Sequence, residues 1–210
     1  MRVWPHQLAT IVRAMPDVDP RVADALIATP RHRFVHWRYV LRAYKDTALP
    51  TGPGTTISQP SYIARVISAA RIASTDRVLE IGAGSGWTAA IFAKLAAEVV
   101  TIDRMPQLVA IARKRLARLP NVRVLEGDGE HAADGTFDAI VVMAGAPEVP
   151  TAYTERLRDG GRLVIPIGRL RNKTAVKCRV TRVTRAAGKL VEEDLFDGDW
   201  NLLRGKDGFV

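Results

Sequence analysis

Along this chain, apolar residues gather into short continuous runs, and between the runs they recur every three or four positions. The runs are RVLEIG at 77–82, EVVTID at 98–103, VRVLEG at 122–127, FDAIVVM at 137–143 and GRLVIPI at 161–167. Strands this uniformly apolar are those buried on both faces of a parallel sheet. Helical spacing fills the intervals at 86–97, 105–118 and 151–158. A further helix starts at Pro60 and places Ile63, Ala64, Val66, Ile67 and Ala70 on one side. Strand and helix in alternation predict an α/β fold, a doubly wound Rossmann-like sandwich with a mostly parallel central sheet.

The two ends of the chain read differently. Residues 5–15 and 20–28 form short helices, the second with Asp19 as N-cap and Pro20 at the first helical position. Residues 30–44 are basic and aromatic without clean periodicity. Three prolines and two glycines in 46–60 predict a loop or an extended crossing segment. The tail turns to period two at Val176, Cys178 and Val180, the pattern of a half-buried antiparallel strand. Alternation slips at Arg182-Val183, which predicts a bulge or a strand end. Ala187-Gly188 turns the chain and LVEEDLF returns as the hairpin partner. The expected organisation is one domain, 1–210, with an N-terminal helical cap at 1–58, a core at 59–168 and a hairpin and tail at 169–210.

Composition alters little of this. An apolar content of 47% and a charged fraction of 25% suit an ordinary globular chain. No run approaches the ~18–20 apolar residues that span a bilayer. Pro5 and His6 stand where a signal peptide needs an apolar core, so a cytoplasmic protein is expected, with no membrane partner. The single Cys178 excludes an internal disulfide and agrees with a reducing compartment. The formal charge of +9 is concentrated at Arg113, Lys114, Arg115 and Arg118, and along Arg169, Arg171, Lys173, Lys177, Arg179, Arg182, Arg185 and Lys189. A solvated helix face and a solvated hairpin account for both groups. Aromatic residues do not interleave with these charges, so nucleic acid is not the expected partner. His131 is a lone histidine in a polar loop. No Cys/His cluster has zinc spacing, and no metal is expected.

The chemistry lies at strand ends. Gly82-x-Gly84-x-Gly86 follows the first core strand, and a helix starts near Trp87. Such a turn permits positive φ and presents unpaired N–H groups to a nucleotide-type ligand. Asp103 ends the second strand, where a carboxylate accepts ribose hydroxyls. Gly127-Asp128-Gly129 ends the third, where a carboxylate meets an adenine amino group. A dinucleotide fingerprint asks for a small residue at position 87, which is Trp, and a P-loop asks for a Gly-Lys-Ser/Thr that is missing. Glu80, two positions before the first glycine, suits a cofactor with an amino group better than one with a pyrophosphate. S-adenosylmethionine fits these constraints. Its expected contacts are Glu80, Gly82, Ala83, Gly84, Ser85, Trp87, Asp103, Arg104, Gly127, Asp128 and Gly129. Trp87 is either a wall of that site or plain packing.

The segments VLEIGAGSGW, DTALPTGPGTTISQPSYIARV and FDAIVVMAGAPEVP, with TPRHRFV upstream, resemble the protein-L-isoaspartate O-methyltransferase family over roughly residues 28–168. TISQP is the distinctive part, since many methyltransferases share the glycine turn. The resemblance implies methyl transfer from S-adenosylmethionine to an isoaspartyl or aspartyl carboxylate of a protein or peptide. It also implies that Ser58 lies at the reacting centre as a positioning hydroxyl, with Thr56 and Ile57 shaping the substrate pocket. Ser58 or Gln59 is also placed to cap the helix at Pro60, and for Ser58 both roles are compatible.

Four stretches depart from the family pattern: EHAADGTFDAI after Gly129, Met143 in place of threonine, Thr51 and Thr55 around Gly52-x-Gly54, and the terminal DGDWNLLRGKDGFV. These select an alternative acceptor, the aspartate of a dedicated ribosomally made peptide, converted through its ester to an aspartimide. An RNA base methyltransferase is a third reading, but AGAPEVP does not supply the (N/D/S)PP(Y/F/W)-like motif it needs.

Overall fold

A computed structural model of the protein describes residues 5–52, 55–129, 134–170, 175–201 and 203. The N-terminal segment forms α1 (Pro5–Arg13), α2 (Pro20–Ile27), 3₁₀ helices at Arg31–Arg33 and Trp37–Arg42, and strands β1 (Leu49–Gly52) and β2 (Thr55–Ile57). Next come α3 (Pro60–Ala69), β3 (Arg77–Ile81), α4 (Trp87–Phe92), β4 (Glu98–Asp103), α5 (Pro106–Leu116) and β5 (Val122–Glu126). The chain continues through β6 (Phe137–Val142), α6 (Thr151–Thr154), β7 (Leu157–Leu170), β8 (Ala175–Ala186) and β9 (Lys189–Asn201).

Seven strands form one sheet in the order β5-β4-β3-β6-β7-β8-β9. The pairs from β5 to β7 are parallel, and β7-β8-β9 is antiparallel. From β3 the chain moves to one side for β4 and β5, then to the other for β6. The carboxyl ends of β3 and β6 therefore form the switch point at which such sheets hold ligands. Val78, Val99, Ala139 and Val164 share one core with α1–α5. Leu79, Ile81, Ile140 and Leu163 share the opposite core with Tyr153 of α6. The Rossmann-like expectation holds, with C-terminal antiparallel strands completing the sheet.

Local boundaries differ from the sequence reading for physical reasons. The helix expected over 86–97 ends as α4 at Phe92, because the next turn tightens into i→i+3 bonds from Lys94 N to Ile91 O (3.0 Å) and from Leu95 N to Phe92 O (2.9 Å). The helix expected over 151–158 ends at Thr154, since Leu157 already pairs with Phe137 and opens β7. The stretch 46–60 is more ordered than a loop: β1 and β2 pair antiparallel, with Leu49 opposite Ile57.

The slip at Arg182-Val183 is not a break in β8. That strand is paired on both sides. Over 177–180 it is half-buried as expected, with Lys177 and Arg179 exposed and Cys178 and Val180 in one core. From Thr181 to Val183 both faces are covered, with Val183 in the other core. The irregularity lies on β9, where Leu195 is extra between the pairs Val180–Phe196 and Thr181–Asp194. Part of the basic run is matched across this pairing. Arg179 Nε donates to Asp197 Oδ1 at 2.7 Å, Thr181 Oγ1 to Asp194 Oδ1 at 2.9 Å, and Arg182 to Glu193. Arg171, Lys173, His131 and the tail beyond residue 203 lie outside the described residues.

Candidate active site

A cavity of about 520 Å³ opens at the switch point. Its walls bring together nearly all of the residues singled out from sequence: Thr56, Ile57 and Ser58 from the β2 segment, Gly82, Ala83, Gly84 and Ser85 from the turn after β3, Asp103 and Arg104 from the end of β4, and Gly127, Asp128 and Gly129 after β5. The turn is held by backbone bonds from Gly82 N (2.8 Å) and Ala83 N (2.9 Å) to Ile102 O. Gly82 has φ +99°, and a side chain there would press on Met143 Cβ at 3.3 Å. Gly84 has φ +50° and lines the cavity with no protein atom within 4 Å of where a Cβ would stand. That space is left for a ligand.

Asp103, 8% exposed, fixes the turn as well as facing it. Its Oδ2 accepts from Gly84 N at 2.9 Å and its Oδ1 from Met105 N at 3.0 Å. Each oxygen keeps a second lone pair for hydroxyl donors. A cofactor with a ribose and an adenine fits this arrangement: a carboxylate at one strand end, an open glycine cradle beside it, and a second carboxylate, Asp128, beyond the next strand.

Two expected contacts are not in the cavity wall. Glu80 is fully buried beneath the turn; Thr101 Oγ1 donates to its Oε2 at 2.5 Å, while Oε1 has no partner. Burial pushes its carboxyl up to about 8, against the Thr101 bond and with help from the Asp103 charge. Between the ordinary carboxylate range and about 8, the folded chain holds a proton that the unfolded chain has released, so stability falls as pH rises through that window. Glu80→Gln is expected to flatten this slope and to raise Tm at pH 9 by roughly 5 °C. Calorimetry from pH 5 to 9 checks it; an unchanged slope would mean that Glu80 is not the group responsible.

Trp87 is the other. It points away from the cavity, its indole N–H donating to Thr29 O at 3.2 Å and its ring lying under the Arg31 guanidinium at 5.2 Å. Of the two roles open to it from sequence, the structure places it in packing, as the first residue of α4 pinned to the N-terminal segment.

Ser58 is not the helix cap. Gln59 occupies that position and its side chain does not cap; instead Asp46 Oδ1 accepts from Ser61 N at 2.8 Å. Ser58 is thereby left to line the cavity. It also lines an adjoining cavity of about 380 Å³, bounded by Tyr62, Asp199 and Trp200. Thr56, Ser58, Met143 and Asn201 are common to both, so the two cavities meet there. Asn201, not singled out from sequence, donates from Nδ2 to Thr56 Oγ1 at 3.4 Å. The C-terminal strand thus reaches the site, in the very stretch that departs from the family pattern.

Arginines missed by sequence reasoning hold the walls. Arg31 is buried, and its guanidinium donates to the carbonyls of Ala43 (2.8 Å), Thr47 (2.9 Å) and Ser58 (2.9 Å). Arg115 Nη1 donates to Phe34 O and Ser85 O, both at 3.0 Å. TPRHRFV was visible as a signature, but nothing local in it reveals partners up to 27 residues away. Among the described residues no cluster of His, Cys, Asp or Glu is arranged to hold a metal, and no helix is long and apolar enough to cross a membrane.

Known proteins place this geometry. The sequence profile of the protein-L-isoaspartate(D-aspartate) O-methyltransferase family matches residues 8–196. A protein-L-isoaspartate O-methyltransferase from Methanoregula boonei is 49% identical over 154 residues, covering 71% of each chain. A solved protein-L-isoaspartate O-methyltransferase superposes with TM-score 0.84 at 26% identity, over 98% of this chain and 67% of that one. A Plasmodium falciparum structure named for the same activity, in complex with S-adenosyl-L-homocysteine, shares the fold with TM-score 0.77 at 22% identity, over 91% and 94% of the two chains. With the glycine turn, Asp103 and the Ser58 segment gathered at one switch point, the match over residues 8–196 shows that the chain belongs to the protein-L-isoaspartate O-methyltransferase family.

Proposed function

We propose that this chain transfers a methyl group from S-adenosylmethionine to the carboxylate of an isoaspartyl or aspartyl residue in a protein or peptide. The observation that carries this reading is the junction of a donor-sized cavity with a second cavity at Thr56, Ser58, Met143 and Asn201. When bound, S-adenosylmethionine supplies a methyl group already activated by its sulfonium. Asp103 takes the ribose hydroxyls, Gly82 to Ser85 give the turn its close approach, and Gly127 to Gly129 enclose the adenine end, with Arg104 on the rim.

On the acceptor side little acid–base work is needed. A carboxylate with a pKa of ~4 is ionised at neutral pH, so the attacking oxygen needs no general base. What the chain supplies is alignment and exclusion of water. The Ser58 hydroxyl donates to the carboxylate and sets its angle, while Thr56 and Ile57 form the wall behind it.

Incubation with S-adenosylmethionine and, in parallel, isoaspartyl peptide, aspartyl peptide and RNA tests the reading by mass spectrometry. A +14 shift is expected on a peptide carboxylate; a shift on RNA alone would sink it. Ser58→Ala is expected to lower kcat/KM for the peptide about tenfold or more, leaving cofactor affinity within twofold, as for loss of one hydrogen bond to a charged group. Equal losses on both sides would remove Ser58 from the acceptor. The presence of Asp199, Trp200 and Asn201 at the acceptor cavity favours a second reading, the dedicated aspartyl peptide, because these residues lie in the divergent tail. Turnover of the aspartyl peptide without turnover of the isoaspartyl one would select it.

A further inference from the structure

We propose that the 3₁₀ helix Trp37–Arg42 is a docking surface for an acidic flank of the polypeptide acceptor. This rests on the acceptor being a polypeptide, as argued above. The helix carries the two most exposed large apolar side chains of the described residues, Trp37 and Leu41, each 72% exposed, with Val40 exposed beside them at 39%. In a 3₁₀ helix, residues three apart eclipse. Trp37 therefore stands in line with Val40, and Arg38 with Leu41, giving adjacent apolar and mixed rows. The Arg38 guanidinium lies 5.3 Å from the Trp37 ring.

Along the chain, the stretch that carries this surface has charge of one sign. From residue 25 to residue 45 there is no Asp or Glu. Of the five cations in that stretch, Arg31 is buried in its carbonyl bonds, whereas Arg33, Arg38, Arg42 and Lys45 are exposed. The next acid, Asp46, is occupied by Ser61 N and the Gln59 amide. A surface that pairs exposed aromatic and aliphatic side chains with four cations that form no ion pair among the described residues is complementary to a segment that mixes apolar and acidic residues.

Its position links it to catalysis. One guanidinium, that of Arg31, bonds both Ala43 O, the residue following the helix, and Ser58 O. The end of the helix is therefore a guanidinium's width from the acceptor segment. The helix itself is ~12 Å long at ~2.0 Å per residue. A peptide extended at ~3.3 Å per residue covers the distance from Ser58 to Trp37 with about six residues.

The test uses the full chain and three isoaspartyl peptides: a bare core, the core with six added residues of Glu and Leu on either side, and the same with Lys in place of Glu. The acidic flank is expected to lower KM about tenfold relative to the core, and the Lys flank not at all. Trp37→Ala/Leu41→Ala and Arg38→Glu/Arg42→Glu should each abolish that gain while leaving kcat/KM of the bare core unchanged. In parallel, fluorescence anisotropy of a labelled Glu/Leu flank without any isoaspartyl residue reads docking independently of turnover. Failure to methylate the core, with patch-dependent binding of the flank intact, would defeat the acceptor reading and leave the surface assigned. Equal KM for core and acidic flank, or a gain that survives both double variants, would overturn the docking surface. So would stronger competition by an RNA oligonucleotide than by the acidic flank, or a dimer in ultracentrifugation that Trp37→Ala/Leu41→Ala dissolves.

Discussion

Arg31→Ala is expected to lower unfolding free energy by about 4 kcal/mol, summing three charge-assisted bonds at ~1.5 kcal/mol each with a little relief from repacking. That is a large share of the 5–15 kcal/mol that holds a domain together, and it corresponds to a fall in Tm of roughly 10 °C. The magnitude follows from what is left behind. The carbonyls of Ala43, Thr47 and Ser58 all turn inward to one guanidinium, and without it they remain inside the protein unpaired. Burial lowers the Arg31 pKa only to about 10, with Asp46 opposing the shift, so the group is cationic at neutral pH. Arg31→Lys keeps the charge but lacks the planar fork, and is expected to recover about half of the loss. The effect should extend beyond stability: Ser58 loses its carbonyl anchor, so peptide kcat/KM falls further than cofactor affinity does. Urea unfolding combined with steady-state kinetics checks both parts, and a loss below about 1 kcal/mol would show that water or neighbouring N–H groups take over the carbonyls.

Asp103→Ala should weaken S-adenosylmethionine binding about a hundredfold. Two charge-assisted hydrogen bonds at ~1.5 kcal/mol each amount to ~3 kcal/mol, and each 1.4 kcal/mol is tenfold. The same carboxylate holds Gly84 N and Met105 N, so part of the loss comes through a loosened turn. Asp103→Asn separates the two contributions, because its amide oxygen still accepts from one of those N–H groups while the charge is gone. An intermediate, roughly tenfold loss is expected for it. Titration calorimetry reads the affinities, and melting of the unliganded variants reads the turn. Binding of the alanine variant within threefold of the parent would remove Asp103 from the ribose.

The donor half of this site was legible in the sequence because its signals are local. Gly82, Gly84 and Asp103 stand at strand ends that apolar runs define, and a parallel sheet brings neighbouring strand ends together whatever the details of packing. The direction of a side chain is not local in that sense. Trp87 begins α4, and whether it faced the ligand or the N-terminal segment depended on Thr29 O, 58 residues earlier. The same holds for Asp46 capping α3 in place of Ser58, and for Asn201 reaching Thr56. Helix ends depart from the spacing where strand pairing overrides it, as at Leu157, which belongs to β7 because Phe137 lies beside it. The alternation at Cys178 and Val180 is one-sided as its spacing predicts, with Lys177 and Arg179 exposed before and between them. The period is lost only from Thr181 to Val183, where both faces of the strand are covered.

The division of labour along the chain has an evolutionary consequence. The proposed donor contacts come from one middle stretch, Gly82 to Gly129, whereas the second cavity is walled by Ser58, Gln59 and Tyr62 ahead of it and by Asp199 to Asn201 far behind. These two flanks are tied together at several points: Asn201 Nδ2 donates to Thr56 Oγ1 at 3.4 Å across 145 residues, Tyr62 Oη donates to Asp197 O, and the Tyr62 ring meets the Trp200 ring at 5.5 Å. Mutations at Gln59, Tyr62, Asp199 and Trp200, which line the second cavity and not the first, can therefore retune which carboxylate is accepted while the methyl-donor machinery is inherited unchanged. A library drawn from Tyr62, Asp199 and Trp200 would explore new acceptors without first having to rebuild the enzyme.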